Sequence, residues 1–200
     1  MRKTNRKEGG FTLLEIIVVV GIMMILMGMA VIQSFGSLET YKATSAMDVV
    51  TSQLRVARQL AISQRRDVQI SFNLVGPTQS ISYKILPGFL GDPPQPIVTV
   101  PLPQQTSFVQ EAGVPDTPMA FGTCGGASGV CIANVAGGPP FMEFTSTGQF
   151  TDNTGLNVLN GTIFVGLKGQ VSTARAVTLM GGTGRVREYT YAAGATGWEE

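Results

Sequence analysis

The 200-residue sequence has no histidine, only two cysteines and a single tryptophan. Without histidine there is no Ser-His-Asp or Cys-His nucleophile, and the commonest transition-metal ligand is missing. Two cysteines cannot build a cysteine-rich zinc site. Charge is scarce as well, at 14%, where soluble globular domains run near ~25%. A net charge of +1 rules out a broadly basic nucleic-acid binder and leaves room only for a local basic patch. The carboxylates Asp48, Asp67, Asp92, Glu111, Asp116, Glu143 and Asp152 are scattered, with no metal-loop spacing. The expectation is a protein that is not an enzyme and holds no metal or cofactor.

What is present is concentrated at the start. Residues 1–10 hold Arg2, Lys3, Arg6 and Lys7 against Glu8. An apolar run follows over 11–32, its one charge being Glu15. As a helix rising about 1.5 Å per residue, such a run reaches across a bilayer core. The basic flank predicts a cytoplasmic N-terminus and a single pass. Without residues 1–10 the chain keeps 10 Lys+Arg against 12 Asp+Glu, a net of −2. The slight basicity therefore belongs to the leader. A secretory signal would place small residues after the apolar core, whereas Gly9 and Gly10 precede it. A plain anchor leaves Glu15 unexplained. A carboxylate deep in a membrane costs on the order of 2.5–3.5 kcal/mol, and such residues are functional candidates by default.

The segment Gly10-Phe11-Thr12-Leu13-Leu14-Glu15 resembles the class III signal of type IV pilins and type II secretion pseudopilins. The resemblance implies cleavage after Gly10 by a prepilin peptidase and N-methylation of the new N-terminal Phe11. It implies that Glu15 pairs with the α-amino group of a neighbouring subunit in a dry filament core, where an unpaired charge is costly. It also implies other pilin or pseudopilin subunits and an inner-membrane assembly platform as partners, with the remaining domain in the periplasm.

The segment 33–66 has no proline, and Leu38, Tyr41, Met47, Val50, Leu54, Ala57 and Ala61 recur at spacings suited to a helical stripe. Arg55, Arg58, Arg65 and Arg66 fall mainly outside it, as a solvated face or as partner contacts. From Val68 the period becomes two. Val68, Ile70, Phe72 and Leu74, then Ile81, Tyr83 and Ile85, predict a hairpin turned at Gly76-Pro77. Further strands are expected at 97–100, 141–145, 162–167, 174–180 and 185–191. Residues 87–140 are expected to form a long, loop-dominated insert. The fold class is α+β, with a long N-terminal helix packed on an antiparallel sheet of roughly six to eight strands. The divisions are a leader over 1–10, an anchor over 11–32, an amphipathic helix over 33–66 and a β-sheet domain over 67–200.

Three local patterns resemble the GspH/FimT branch of these minor pilins. They are Leu54–Ile62 followed by Val68-Gln69-Ile70, then Phe144-Thr145-Ser146-Thr147-Gly148, then Gly184-Arg185-Val186-Arg187. In FimT-like members a Gly-Arg-x-Arg element is linked to DNA binding, so the resemblance offers Gly184, Arg185 and Arg187 as candidates. In a strand Arg185, Arg187, Tyr189 and Tyr191 share a face, and guanidinium groups beside aromatic rings suit phosphates and bases. Arg175 and Lys168 could add charge. The alternative is structural, with the tyrosines packed on the core helix and the arginines paired with acidic neighbours. The leading expectation is a structural minor pilin or pseudopilin of a secretion or pilus system, and the alternative is a DNA-binding minor pilin of natural transformation. Trp198 could dock on the domain or on a neighbour.

Cys124 and Cys131 are separated by six residues, three of them glycine. In an oxidising compartment that loop can close into a disulfide. The bridge would contribute roughly 2–3 kcal/mol by restricting the unfolded chain. A redox-active pair would want tighter spacing and an activating neighbour. Thiol titration of the denatured, unreduced protein should find no free thiol, and two free thiols would contradict the bridge.

Overall fold

The structure is a computed structural model. It describes residues 11–88, 93, 95–121, 128–133, 135–139, 141–191 and 197–200, with backbone alone at 30–37, 135 and 136. The chain divides into two units, Met1–Leu38 and Glu39–Glu200. Helix α1 is assigned over Leu13–Gln64.

Among the described residues of the first unit, the apolar side chains Phe11, Leu13, Leu14, Ile16 and Met24 are all largely exposed. The helix begins at Thr12. Its hydroxyl accepts a hydrogen bond from the Glu15 N–H at 3.3 Å. This is half of a capping box, in which Thr at the N-cap and a carboxylate three residues on satisfy the first free amides.

In the second unit the helix buries a face of Ala43, Ala46, Met47, Val50, Leu54, Ala57 and Ala61. The stripe read from spacing holds from Met47 onward. Leu38 and Tyr41 lie outside it, 53% and 71% exposed, because the buried face is carried upstream by the alanines at 43 and 46. Small residues there let the backbone approach the sheets closely.

Two antiparallel sheets cover this face where one was expected. The first has the order β3-β2-β1-β7-β8, built from Val98–Pro101, Ser80–Ile85, Val68–Asn73, Met142–Phe144 and Phe150–Asp152. The second runs β12-β11-β10-β9-β5-β6, from Trp198–Glu199, Arg185–Tyr191, Arg175–Met180, Gly161–Leu167, Val130–Ile132 and Val135–Ala136, with β4 (Thr106–Phe108) also on β9. Val68, Ile70, Phe144 and Phe150 from the first sheet meet Ile163, Val165, Val177 and Leu179 from the second around the helix.

The segment 87–140 is therefore more than a loop. It supplies β3, β4, β5 and β6, and Val130, Cys131 and Ile132 are fully buried. A second apolar cluster on the far side of the second sheet joins Val114 to Phe164, Ala174, Ala176 and Tyr189. Register explains it: Ala176 pairs with Phe164 on one side and Tyr189 on the other, so the three share a face. β9 is buried along its whole length because both of its faces are covered. Cys131 is disulfide-bonded. Cys124 lies outside the described residues.

One carboxylate is held against its preference. In the first sheet Gln69 pairs with Glu143 and Glu143 with Thr151, on the face away from the helix. Glu143 is 5% exposed. Burial first, then the charges of Asp67 and Asp152, push its pKa up. Asp152 is the opposite case. Hydrogen bonds from the Thr154 hydroxyl and the Asn157 amide hold its pKa down at about 2.

The two groups act in opposite directions on stability. A raised pKa in the fold makes Glu143 favourable below its ordinary value of 4.5 and unfavourable once pH rises through the folded value. Asp152 stabilises above 3.8 and loses that contribution as pH falls through about 2. Glu143→Gln should raise the melting temperature at pH 7, by roughly 2–4 °C if about 1 kcal/mol is relieved. The gain should vanish below pH 4.5. A gain independent of pH, measured by thermal melts across that range, would refute the assignment.

Candidate filament and ligand sites

The first site is the helix start. Phe11, Glu15, Ile16, Val19 and Val20 line a shallow apolar hollow on the exposed helix surface. Gly10 lies outside the described residues, and Phe11 is 78% exposed. Glu15 stood out in the sequence as the one charge of the apolar run; the capping role of Thr12, three residues before it, adds to that. Among the described residues no helix is long and apolar enough to cross a membrane. The described side chains of the 11–32 run stop at Met29.

The second site is the junction of α1 with the β10–β11 hairpin. Here the three separate sequence patterns come together. Arg58, from the helix pattern, donates its Nε–H to the Gly148 carbonyl at 3.2 Å. Gly148 ends the Phe144–Gly148 pattern and adopts φ +83°. A Cβ there would lie 2.8 Å from Cδ1 of Ile62. Gly184 opens the Gly-Arg-Val-Arg pattern with φ +62°. A Cβ on Gly184 would strike the Gly148 carbonyl oxygen and approach Arg58 Nε to 2.5 Å. Only glycine satisfies both the left-handed backbone and this contact.

The candidate side chains of β11 do not form one continuous face for a ligand. Arg185 is exposed and lines a groove with Arg55, Arg58, Met180 and Val186. Arg187 instead forms an ion pair with Glu200, Nη1 to Oε2 at 3.0 Å. A hydrogen bond with Tyr189, and then Glu200, raise the Arg187 pKa further. Tyr189 is 3% exposed within the second apolar cluster. Tyr191 packs edge-on against Trp198, with centroids 5.3 Å apart. Trp198 also meets Phe164 and donates its indole N–H to the Pro115 carbonyl at 3.1 Å. It therefore docks on its own domain.

Arg175 is no surface cation. It is 3% exposed, burial lowers its pKa, and its N–H groups go to the Ala174 carbonyl at 2.9 Å and Thr44 Oγ1 at 3.4 Å. It ties the helix to the second sheet. Lys168 remains exposed. Among the described residues no group of three or more Cys, Asp or Glu could hold a metal ion.

Residues 5–31 match the family described as prokaryotic N-terminal methylation motif. The matched stretch includes Gly10 to Glu15. No curated protein matches the chain. Solved structures similar to it include two minor pilin-type proteins. One is the type IV minor pilin FimU of Pseudomonas aeruginosa PAO1, 15% identical with a TM-score of 0.46, covering 80% of this chain and 94% of that one. The other is the minor pseudopilin EpsH from the type 2 secretion system of Vibrio cholerae, 14% identical with a TM-score of 0.43, covering 77% and 99%.

Gly184→Ala should destabilise the protein by about 1–3 kcal/mol, from backbone strain and the forced retreat of Arg58. Urea unfolding of the full chain in detergent would measure it. A change below about 0.5 kcal/mol would show that the junction is looser than its geometry.

Proposed function

We propose that this chain is a structural minor pilin or pseudopilin of a type II secretion or type IV pilus system. A prepilin peptidase removes residues 1–10, and Phe11 becomes the methylated N-terminus. Residues 11–32 anchor the protein once in the bacterial inner membrane, N-terminus cytoplasmic and β-sheet domain periplasmic. The anchor then passes into a periplasmic or surface filament with other pilin subunits, delivered by the assembly platform. The observation that carries this reading is the methylation-motif match over 5–31. It precedes an α+β domain whose helix face is buried by two antiparallel sheets.

Glu15 has two tasks in this reading. Before assembly it completes the helix start with Thr12. In the filament it meets the α-amino group freed by cleavage on a neighbouring subunit. Both favour a carboxylate close to the helix N-terminus. The DNA-binding alternative would act through Gly184, Arg185 and Arg187. It has less support, since Arg187 is paired with Glu200 and Tyr189 is buried.

The reading separates processing from assembly. Gly10→Val should leave the leader attached, seen as an unshifted mass. Glu15→Val should be cleaved and membrane-bound but reduced at least tenfold in sheared filaments of its host. Cleavage of the Gly10 variant, or normal incorporation of the Glu15 variant, would sink the proposal.

A further inference from the structure

The groove between α1 and the β10–β11 hairpin has a feature that subunit anchoring does not use. Three guanidinium groups, those of Arg55, Arg58 and Arg185, line it, with Met180 and Val186 beside them and Gln59 at the rim. Among the described residues no acidic side chain lines it, and Glu188 stands beside it, paired with Arg55. Arg58 is fixed in direction. Its Nε–H is spent on the Gly148 carbonyl, and the close approach of Gly184 leaves its Nε and Cδ no room to move that way. The other four guanidinium N–H groups of Arg58 are not engaged by this bond. Among the described residues the Arg185 guanidinium has no ion pair or hydrogen bond. Arg55 meets Glu188 at 3.3 Å, with the arginine side chain 61% exposed. Such solvent-screened pairs are weak and exchange readily.

We propose that this groove is a docking site for a carboxylate-bearing, partly apolar peptide segment of a neighbouring protein subunit. The identity of the neighbour rests on the filament-subunit reading, whereas the chemistry of the groove does not. Arg58 and Arg185 supply forked donors for one carboxylate. Arg55 already shows, with Glu188, that the rim accepts that group. Met180 and Val186 offer apolar surface to the residue beside it.

A nucleic acid fits less well. Strand affinity needs many phosphate contacts and benefits from stacking platforms. Arg187 is occupied by Glu200, Tyr189 is buried and Tyr191 is packed against Trp198. The chain beyond residue 10 carries a net of −2, so its overall field repels a polyanion. A single carboxylate asks for the two or three guanidinium groups that the groove holds.

The test uses the full chain in detergent and a fluorescein-labelled peptide of glutamate and leucine, with its glutamine-for-glutamate counterpart as control. Binding by anisotropy should favour the acidic peptide and weaken with salt. Arg185→Gln should cost at least tenfold in affinity with an unchanged melting temperature, and Arg58→Gln should cost as much. Arg187→Gln should leave affinity within twofold. Equal binding of the two peptides, no binding of the acidic one, or no loss in Arg185→Gln would overturn the proposal. So would tighter binding of a 20-base-pair DNA duplex that Arg185→Gln abolishes, since the groove would then serve phosphates. Failed peptide binding with normal leader cleavage and filament incorporation sinks the groove alone. Failure of the wild-type chain to enter filaments sinks the subunit reading instead.

Discussion

The folded domain depends on one apolar face of α1. Val50, Leu54, Ala57 and Ala61 are fully buried, and side chains from both sheets converge on them. Each large side chain there contributes about 1.5–3 kcal/mol by leaving water. The apolar cluster around Phe164 and Tyr189 on the second sheet's other face is smaller than the one around the helix. Three of the first-sheet strands and several of the second are only two to four residues long, and short strands of this kind are stable only when packed. The helix therefore comes first in the logic of the fold, and the sheets take their registers from it.

From that packing follows the geometry at the far end of the buried helix face. The residue after Ala57 in the chain is Arg58, which is only half exposed. Its stem lies against the domain while its head reaches a backbone carbonyl of the turn after β7. The turn can receive it because Gly148 is left-handed, and the hairpin can close over both because Gly184 is too. An arginine, a turn and a hairpin from three distant parts of the chain are thus fixed together by missing Cβ atoms. Arg185 owes its position to Gly184, the residue before it. The two arginines of the strand, separated by Val186, then part company: Arg185 lines the helix groove, while Arg187 pairs with Glu200 beyond the last strand.

Legibility in the sequence followed the strength of periodicity. The helix from Met47 to Ala61 and the hairpin of Val68 to Ile85 carry clear repeats of 3.6 and 2, and both stand in the structure. The methylation motif was equally plain, because the arrangement of glycine, Phe11, Thr12 and Glu15 is read without tertiary context. What was missed has no period to read. β4, β5 and β8 span three residues each, too few for alternation to register. Glycine and proline between them suggested loop, although Val130 to Ile132 form a fully buried strand of the second sheet. Alternation also hid the fate of the β11 face. Tyr189 shares its side with Arg187, as period two requires, but a segment at Val114 covers that side and turns an apparent ligand face into core. Tertiary cover of this kind is decided some 75 residues away in the chain and leaves no mark on the strand itself. The meeting of Arg58, Gly148 and Gly184 was likewise present only as three unconnected patterns.

Charge is arranged by the same economy. In a chain with few ionisable groups, most of those on the domain are assigned a task. Arg175 is spent on holding Thr44 and a carbonyl, Asp67 on the Ser146 amide, Asp152 on its own turn and Arg187 on Glu200. On the acidic side Glu143 differs in being buried, with two other carboxylates nearby. On the basic side Arg185 is one of the described side chains without such a task, and it is exposed beside two more arginines in one groove. A surface cation without a partner costs little, whereas a buried carboxylate without one costs stability at neutral pH. The two therefore differ in kind. Glu143 is a local strain that the fold tolerates because the strands around it are tightly packed on their other face. Arg185 is positioned at no such cost by Gly184, a residue whose backbone angle is stringently required. A rigid scaffold that holds an unneutralised cation at the surface is ready to bind an anion with little further ordering, and the groove beside α1 is where that condition is met.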